Sequence, residues 1–403
     1  MDKNIVIIGG GVATVSAIKA IREIDKEINI NVIQGEKYYP YYRTKLTKGL
    51  FDNLEADKIL LQKKEWYDSN NVKLYIDKEV VSIDTKGGKI NLNDETSIEY
   101  DKLLVATGAS NFKPPIDGID KKNIFTIREL EDVKDIRKSV ENKNTILNIG
   151  GGIQGLEAAW AFSKEGKEVI VVEVLERLMP RQLDKRASEI LQSIIENSKI
   201  KVLLNAKVEK VIGKDEVEGI VLSDGNKVNC DMLVYSVGIR ANTSLLENTD
   251  VNIKKGIVVN NKMQTNIENI YAAGDVAELP GQIGGLWNVA SEEGKVAGYN
   301  IVGKEANYSV ITPITMMNAF YISLFSMGNI DENCDATIID DNGDGKTYKR
   351  LFIKDNKILG VILIKDTKSS MIIKKAIENR TIISDIDLSK VTFEEIVKLL
   401  KLK

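Results

Sequence analysis

Two glycine-rich turns constrain this chain more than any other feature. One is Gly9-Gly10-Gly11; the other is Gly150-Gly151-Gly152-Ile153-Gln154-Gly155. Each follows a short apolar run, Ile5-Val6-Ile7-Ile8 in the first case and Thr145 to Ile149 in the second, and each precedes an alanine-rich stretch with helical spacing. A buried strand, a tight turn and a helix whose N-terminus faces a pyrophosphate is the layout of a dinucleotide fold. Two such turns predict two dinucleotides, and two dinucleotides predict electrons passing between them. The expected class is α/β: two Rossmann-like, three-layer dinucleotide-binding domains, with a small α+β domain at the C-terminus.

Composition narrows the chemistry. The 403 residues suffice for two or three domains, and 43% hydrophobic content is ordinary for a globular chain. A formal net charge of −3 gives no reason to expect nucleic acid or an anionic membrane as partner. No apolar run reaches the roughly 18–20 residues of a membrane helix. The chain starts almost directly in a strand, which leaves no room for a signal peptide and predicts a cytoplasmic location. There is no histidine, and the only cysteines are Cys230 and Cys334. An imidazole base, a histidine-bound metal, an iron–sulfur cluster and a close redox pair are all excluded. The two cysteines read as structural thiols, and no metal site is expected.

The first unit, residues 1–111, opens with strand, turn, a helix from Val12 to about Ile24, and a strand from Ile30 to Gln34. Strands follow at Val72–Ile76, Val80–Asp84 and Lys89–Leu92, the last two joined by a Gly87-Gly88 hairpin. The apolar run Leu103 to Ala106 reads as a central parallel strand. Pro114-Pro115 breaks the chain, and a second unit spans 112–240. It holds a helix at Leu130–Val140, the second turn, a helix from about Gln154 to Glu165 capped by Gly166, and a strand at Val169–Val172. A helix at Ala187–Asn197 and strands at Lys201–Leu204, Val217–Ser223 and Leu233–Val237 complete it. Residues 241–308 form a second part of the first domain, with a helix from about Val289 to Asn300. Residues 309–403 read as α+β: strands at Tyr348–Ile353 and Ile358–Ile364, helices at Met371–Asn379 and Phe393–Leu402, and a polar connector at Asp385–Ser389.

In the second turn, Gly150 permits the bend, Gly152 lets the backbone approach the pyrophosphate, and Gly155 lets helix and strand pack closely. Glu173 ends the next strand. A carboxylate there accepts hydrogen bonds from both adenosine ribose hydroxyls and repels a 2′-phosphate, so NADH is expected over NADPH. In the first turn Gly9 and Gly11 are present, but Thr14 stands where the third glycine or alanine belongs. Its β-branch is expected to hold the helix slightly off the strand. Glu36 is the expected acid partner of this turn, about 20 residues on.

These turns, together with Ala106-Thr107-Gly108 and Tyr271-Ala272-Ala273-Gly274-Asp275, resemble the pyridine nucleotide–disulfide oxidoreductase superfamily of FAD- and NAD-binding flavoproteins, from about Asn4 to Gly303. That resemblance implies that Asp275 meets the flavin ribityl chain. A narrower likeness follows from Pro40-Tyr41-Tyr42-Arg43-Thr44-Lys45-Leu46-Thr47-Lys48, which is similar to the P-Y-x-R-x-x-L-x-K stretch of rubredoxin and ferredoxin reductases. It implies that Arg43 contacts FAD, that Lys48 lies near the flavin ring, and that Lys48 pairs with Glu157 beside the hydride site. Arg128 and Val80 match weaker flavin-contact positions, and Ala13, Gly238 and Trp287 join the cofactor-binding set on the same resemblance. From about Tyr308 the chain resembles the C-terminal domain of clostridial-type NADH:rubredoxin oxidoreductases and of the flavin half of assimilatory nitrite reductases.

Within that superfamily the absences select the reaction. No cysteine lies on the helix after the first turn, and Tyr41-Tyr42-Arg43 stands where a single catalytic cysteine would follow the second strand, so thiol-based covalent catalysis is not available. The expected activity is an FAD-dependent oxidoreductase that takes hydride from NADH and passes electrons singly to rubredoxin or a similar small electron carrier. The alternatives are a cysteine-independent NADH oxidase or diaphorase, and a non-catalytic FAD-binding module. An acidic carrier would call for a basic patch, for which Lys45, Lys48, Lys365, Lys368, Lys374 and Lys375 are candidates. The oligomeric state is not readable.

Overall fold

Alternating strand and helix signals at the N-terminus build one half of a duplicated core. The computed structural model describes residues 4–52, 54–282, 284–383 and 386–402; Asp385, the first residue of the expected polar connector, lies outside them. Strand β1 (Asn4–Ile8), helix α1 (Val12–Ile24), β2 (Asn29–Gln34), the short α2 (Lys64–Ser69) and β3 (Val72–Ile76) come first. A three-stranded meander of β4 (Val80–Asp84), β5 (Lys89–Leu92) and β6 (Ser97–Glu99) then leads to β7 (Lys102–Val105) and β8 (Ala109–Asn111).

The second half repeats this plan. After β9 (Ile124–Phe125) and α3 (Leu130–Val140) come β10 (Thr145–Ile149), α4 (Ile153–Lys164), β11 (Glu168–Val172), α5 (Lys185–Asn197) and β12 (Ile200–Leu203). A second meander, β13 (Val208–Ile212), β14 (Gly219–Leu222) and β15 (Lys227–Asn229), leads to β16 (Met232–Tyr235) and β17 (Ile239–Ala241). The chain then returns to the first half with β18 (Ile257–Val258), β19 (Ile270–Ala272), β20 (Ala277–Glu278) and α6 (Trp287–Ile301).

The two parallel sheets have the orders β3-β2-β1-β7-β19 and β12-β11-β10-β16-β9. Both meanders begin with a register shift, at Val80/Ser82 and at Val208/Lys210. The duplication therefore reaches well beyond the glycine turns. Antiparallel pairing of β8 with β17 joins the halves, with Arg240 opposite Ser110. β13 carries no clear strand signal in the sequence, because its exposed Glu209 and Lys210 interrupt the apolar pattern.

The last region is an antiparallel sheet in the order β21-β22-β25-β24-β23. Its strands are β21 (Ile314–Ala319), β22 (Ile322–Gly328), β23 (Ala336–Asp341), β24 (Tyr348–Lys354) and β25 (Lys357–Ile364), followed by α7 (Ser370–Glu378) and α8 (Phe393–Leu402). The first three strands were not anticipated: the expected pattern begins only at Tyr348. Strand alternation divides the sheet's burial. Phe325, Met327 and Leu363 face Ile373, Phe393 and Ile396 of α7 and α8, whereas Met317, Phe320 and Leu324 join a core with Leu46, Leu50, Leu156 and Phe162. Asp184 locks this region to the second half. It caps α5 by accepting from the Ala187 amide at 2.7 Å, and it accepts from Tyr348 Oη and Arg350 Nη1, each at 2.8 Å. Among the described residues no helix is long and apolar enough to cross a membrane.

Candidate functional site

Both turns share one backbone geometry. Gly9 has φ +112° and Gly150 has φ +115°, in the region that favours glycine. A Cβ on Gly9 would lie 2.2 Å from the Ala106 carbonyl oxygen, and one on Gly150 would lie 2.5 Å from that of Ser236. The strand after each meander thus presses its C-terminal end against the turn. Gly11 and Gly152 are the N-caps of α1 and α4, without any side-chain cap, and a Cβ on either would meet nothing within 4 Å. The first amide groups of both helices are therefore left to an outside acceptor, with open space in front of them.

The turns differ at their third position. A Cβ on Gly155 would lie 2.2 Å from the Gly150 oxygen, which accepts from Nδ2 of the buried Asn148 at 2.8 Å. In the first turn Thr14 is fully buried, and its Oγ1 donates to the Gly9 carbonyl at 2.7 Å. The Thr14 hydroxyl thus gives the Gly9 carbonyl the hydrogen bond that Asn148 gives the Gly150 carbonyl, from a position that Gly155 keeps free of a side chain in the second turn.

In front of the first turn opens a cleft of about 760 Å³. Gly9, Gly11, Ala13, Glu36, Arg43, Val80, Ala106, Thr107, Gly108, Arg128, Gly274, Asp275 and Trp287 line it; Thr14 lies behind the turn. Glu36 holds Arg43 in an ion pair and accepts from Tyr41 Oη at 2.6 Å. Arg43 Nη1 donates to the Arg128 carbonyl at 3.0 Å, and Arg128 Nη2 pairs with Asp275 Oδ2 at 2.9 Å. Burial pushes the Tyr41 phenol well above its ordinary pKa, so it stays a donor. The network gives a cleft that is polar at its walls and fixed in geometry.

Counting along the sequence misses one correspondence. The Gly9 amide donates to Ile33 O at 2.8 Å, and the Gly150 amide donates to Val172 O at 2.9 Å. By this register the counterpart of Glu173 is Gln34; Glu36 lies two residues farther on. Gln34 is buried, also lines the cleft, and donates through Nε2 to Tyr38 O at 2.6 Å. Only the strand register, which spacing alone does not fix, identifies it.

In the second half, Glu173 is buried and accepts from the Gly151 amide at 2.6 Å and the Leu175 amide at 2.8 Å, one through each carboxylate oxygen. Each oxygen keeps a further lone pair for a ligand hydroxyl. Gly238, with φ +107°, stands where Gly108 stands in the first half, and a Cβ there would meet nothing within 4 Å. The two halves meet at Lys48 and Glu157, whose Nζ and Oε1 are 3.5 Å apart. Glu157 lies in the first turns of α4 and is buried, while Lys48 is half-exposed. Burial raises the Glu157 pKa, and Lys48 opposes that rise.

The remaining lysine candidates separate. Lys365 pairs with Asp344 at 3.6 Å and Lys374 with Glu378 at 2.7 Å, so their charges are spent locally. Lys45 instead places Nζ 5.1 Å from the Tyr42 ring centroid. Cys230 and Cys334 are free thiols, and burial pushes Cys230 up to about 12. Among the described residues no group of three or more His, Cys, Asp or Glu could hold a metal ion.

The family model for pyridine nucleotide-disulphide oxidoreductases matches residues 3–294. The chain belongs to that family. A second model, the rubredoxin NAD+ reductase C-terminal domain, matches residues 313–381. The chain is 33% identical over 376 residues to the NADH-rubredoxin oxidoreductase of Clostridium acetobutylicum, covering 93% of this chain and 94% of that protein. It is 34% identical to the nitrite reductase [NAD(P)H] of Bacillus subtilis over 93% of this chain but only 48% of that protein. The chain thus spans about half of the Bacillus relative and nearly all of the clostridial one. Among solved structures, the clostridial NADH:rubredoxin oxidoreductase superposes with a TM-score of 0.80 at 31% identity, over 98% of this chain and all of that one. A ferredoxin reductase from Rhodopseudomonas palustris, at 24% identity and a TM-score of 0.86 over 96% and 99% of the two chains, shares the fold.

This family's cofactors are FAD and NADH, and the protein is an NADH-dependent flavoprotein oxidoreductase. The described residues fit both groups: each half offers an uncapped helix N-terminus facing open space behind a positive-φ glycine.

Proposed function

We propose that the protein carries electrons from NADH to rubredoxin or a similar small electron carrier. One NADH reduces two carrier molecules by one electron each, releasing NAD+ and one proton. The observation that carries the reading is the Lys48–Glu157 pair, which joins the segment following the cleft-lining Arg43 to the helix behind the second turn in a chain with no histidine and no paired cysteine. Without a protein nucleophile, the chain's part is to set distance, orientation and local charge.

When bound, FAD supplies the exchange between a two-electron donor and a one-electron acceptor. On this reading the amides of α1 hold its pyrophosphate, Asp275 meets the ribityl chain, and Arg43 and Arg128 fix the walls. The amides of α4 hold the NADH pyrophosphate, and Glu173 accepts from the adenosine ribose and repels a 2′-phosphate. Glu157, uncomfortable as a buried carboxylate, fixes the Lys48 ammonium and so keeps a positive charge where the two cofactors approach. The same reading assigns FAD to residues 1–111 and 241–308, NADH to 112–240, and a separate unit to 309–403. It places the protein in the cytoplasm, in keeping with two unpaired thiols.

The test is NADH-driven reduction of rubredoxin, with NADPH and oxygen as comparisons. Rapid rubredoxin reduction with a clear NADH preference is expected. A preference for NADPH would contradict the role of Glu173. Reoxidation by oxygen as fast as by rubredoxin would replace the carrier reading with an oxidase.

A further inference from the structure

We infer that the rim of the first cleft, formed by Tyr42, Trp287 and Lys45, is the surface on which a small acidic electron carrier docks; this rests on the carrier reading above. Trp287 opens α6, lines the cleft and remains 42% exposed. The Tyr42 ring stacks on it at 6.1 Å between centroids and 21° between planes. An exposed Trp287 backed by the half-buried Tyr42, stacked on it at the mouth of a cofactor cleft, is an apolar platform of the kind that anchors protein partners.

Charge chooses the partner. Residues 37–48 include Lys37, Arg43, Lys45 and Lys48 and no acid, in a chain whose net charge is −3. Three of these are paired: Lys37 with Glu131, Arg43 with Glu36 and Lys48 with Glu157. Lys45 has no carboxylate partner among the described ion pairs, and its ammonium sits over the Tyr42 ring. The rim therefore combines a flat apolar stack with an unneutralised cation. Its complement is a protein surface that sets carboxylates around an apolar patch over its redox centre. A rim charge of this kind acts mainly on encounter rate and salt dependence.

Neither Tyr42 nor Lys45 lines the cleft itself; Lys45 can be changed without touching a lining side chain, and Tyr42 reaches the lining only through its stack on Trp287, which the flavin spectrum monitors. The experiment compares the holoenzyme with Lys45→Glu and Tyr42→Ala, using oxidised rubredoxin as carrier and menadione as a small neutral acceptor. For Lys45→Glu the rubredoxin KM should rise about tenfold at low salt, with kcat retained and a flatter salt dependence. For Tyr42→Ala a rise of about fivefold at all salt concentrations is expected. Menadione reduction and the visible flavin spectrum should stay within about twofold of the unaltered protein. Rubredoxin KM values unchanged in both variants, while the unaltered protein reduces rubredoxin well, would overturn the docking surface and leave the carrier reading standing. No rubredoxin reduction by the unaltered protein would overturn both. A concentration-dependent dimer lost in Tyr42→Ala, with the rubredoxin KM unchanged, would assign the rim to a second copy of this chain instead.

Discussion

The two glycine turns solve one geometric problem with different side chains. Each must bend sharply, leave amides free in front and satisfy the carbonyl of its bending glycine behind. Around Gly150 the solution is tight: Gly155 removes a side chain so that α4 can close, and Asn148 reaches up from β10 to the carbonyl. Around Gly9 a side chain takes both roles: Thr14 is buried there and supplies the hydrogen bond itself. The halves also differ in what covers them. α6 closes over α1 so tightly that a Cβ on Gly294 would lie 2.1 Å from Ala13 O, and one on Gly298 would lie 2.4 Å from Ala17 O. α4 is covered by the C-terminal sheet, through Met317 and Phe320. A third residue that departs from the glycine pattern is thus compatible with a working turn, provided it returns the lost carbonyl contact.

The largest effects should come from the bending glycines. Gly9→Ala and Gly150→Ala each place a Cβ against a backbone oxygen at a positive φ, where strain alone costs about 1–3 kcal/mol before any clash. Gly9→Ala should purify largely without FAD, as read from visible absorbance. Gly150→Ala should keep its FAD and lose reduction by NADH. Equal FAD loss in both would show that the halves do not act separately.

The cover over the first half carries a pH signature. Glu293 of α6 is buried and accepts from the Gly274 amide at 2.8 Å, and burial pushes its pKa up to about 7. Because the folded value is raised, its contribution is fully present below the ordinary carboxylate range near 4.5 and is lost as pH rises through about 7. Thermal melts should show stability falling over that window, by on the order of 1–3 kcal/mol, with the fall absent in Glu293→Gln. A parallel fall in the variant would remove Glu293 as the cause.

Glu173→Ala should lower kcat/KM for NADH about 30-fold, the scale of one charged hydrogen bond, and raise that for NADPH. Unchanged selectivity in steady-state assays would mean that the carboxylate serves only Gly151 and Leu175. The smallest effects should separate the third positions. Gly155→Ala overfills its turn and should cost about 1–3 kcal/mol. Thr14→Ala leaves the Gly9 carbonyl unpaired and should cost about 1 kcal/mol. Denaturant midpoints in the reverse order would mean that the Thr14 hydrogen bond contributes more than the close packing at Gly155.

Much of this was legible in the sequence because it is local. Strand, turn and helix at both glycine motifs follow from adjacent residues, and helices such as Val12–Ile24, Leu130–Val140 and Phe393–Leu402 follow from periodicity. β21 to β23 escaped because Thr and Asn in β21, Ser in β22 and Asp in β23 interrupt the apolar pattern of strands that face two different cores. β13 escaped because it is half-exposed.

The sequence by itself determined the two dinucleotide turns, the acid at Glu173 and the absence of any imidazole or paired thiol, since these depend on residue type and short spacing. Tertiary structure decided the rest, because it depends on contacts between residues far apart in the chain. Strand register made Gln34, not Glu36, the counterpart of Glu173. The meeting of α4 with the turn after Arg43 brings Lys48 to Glu157, a pairing that the family resemblance implied and that no spacing along the chain fixes. The return of the chain at α6 set Trp287 against Tyr42, and no spacing along the chain encodes that stack.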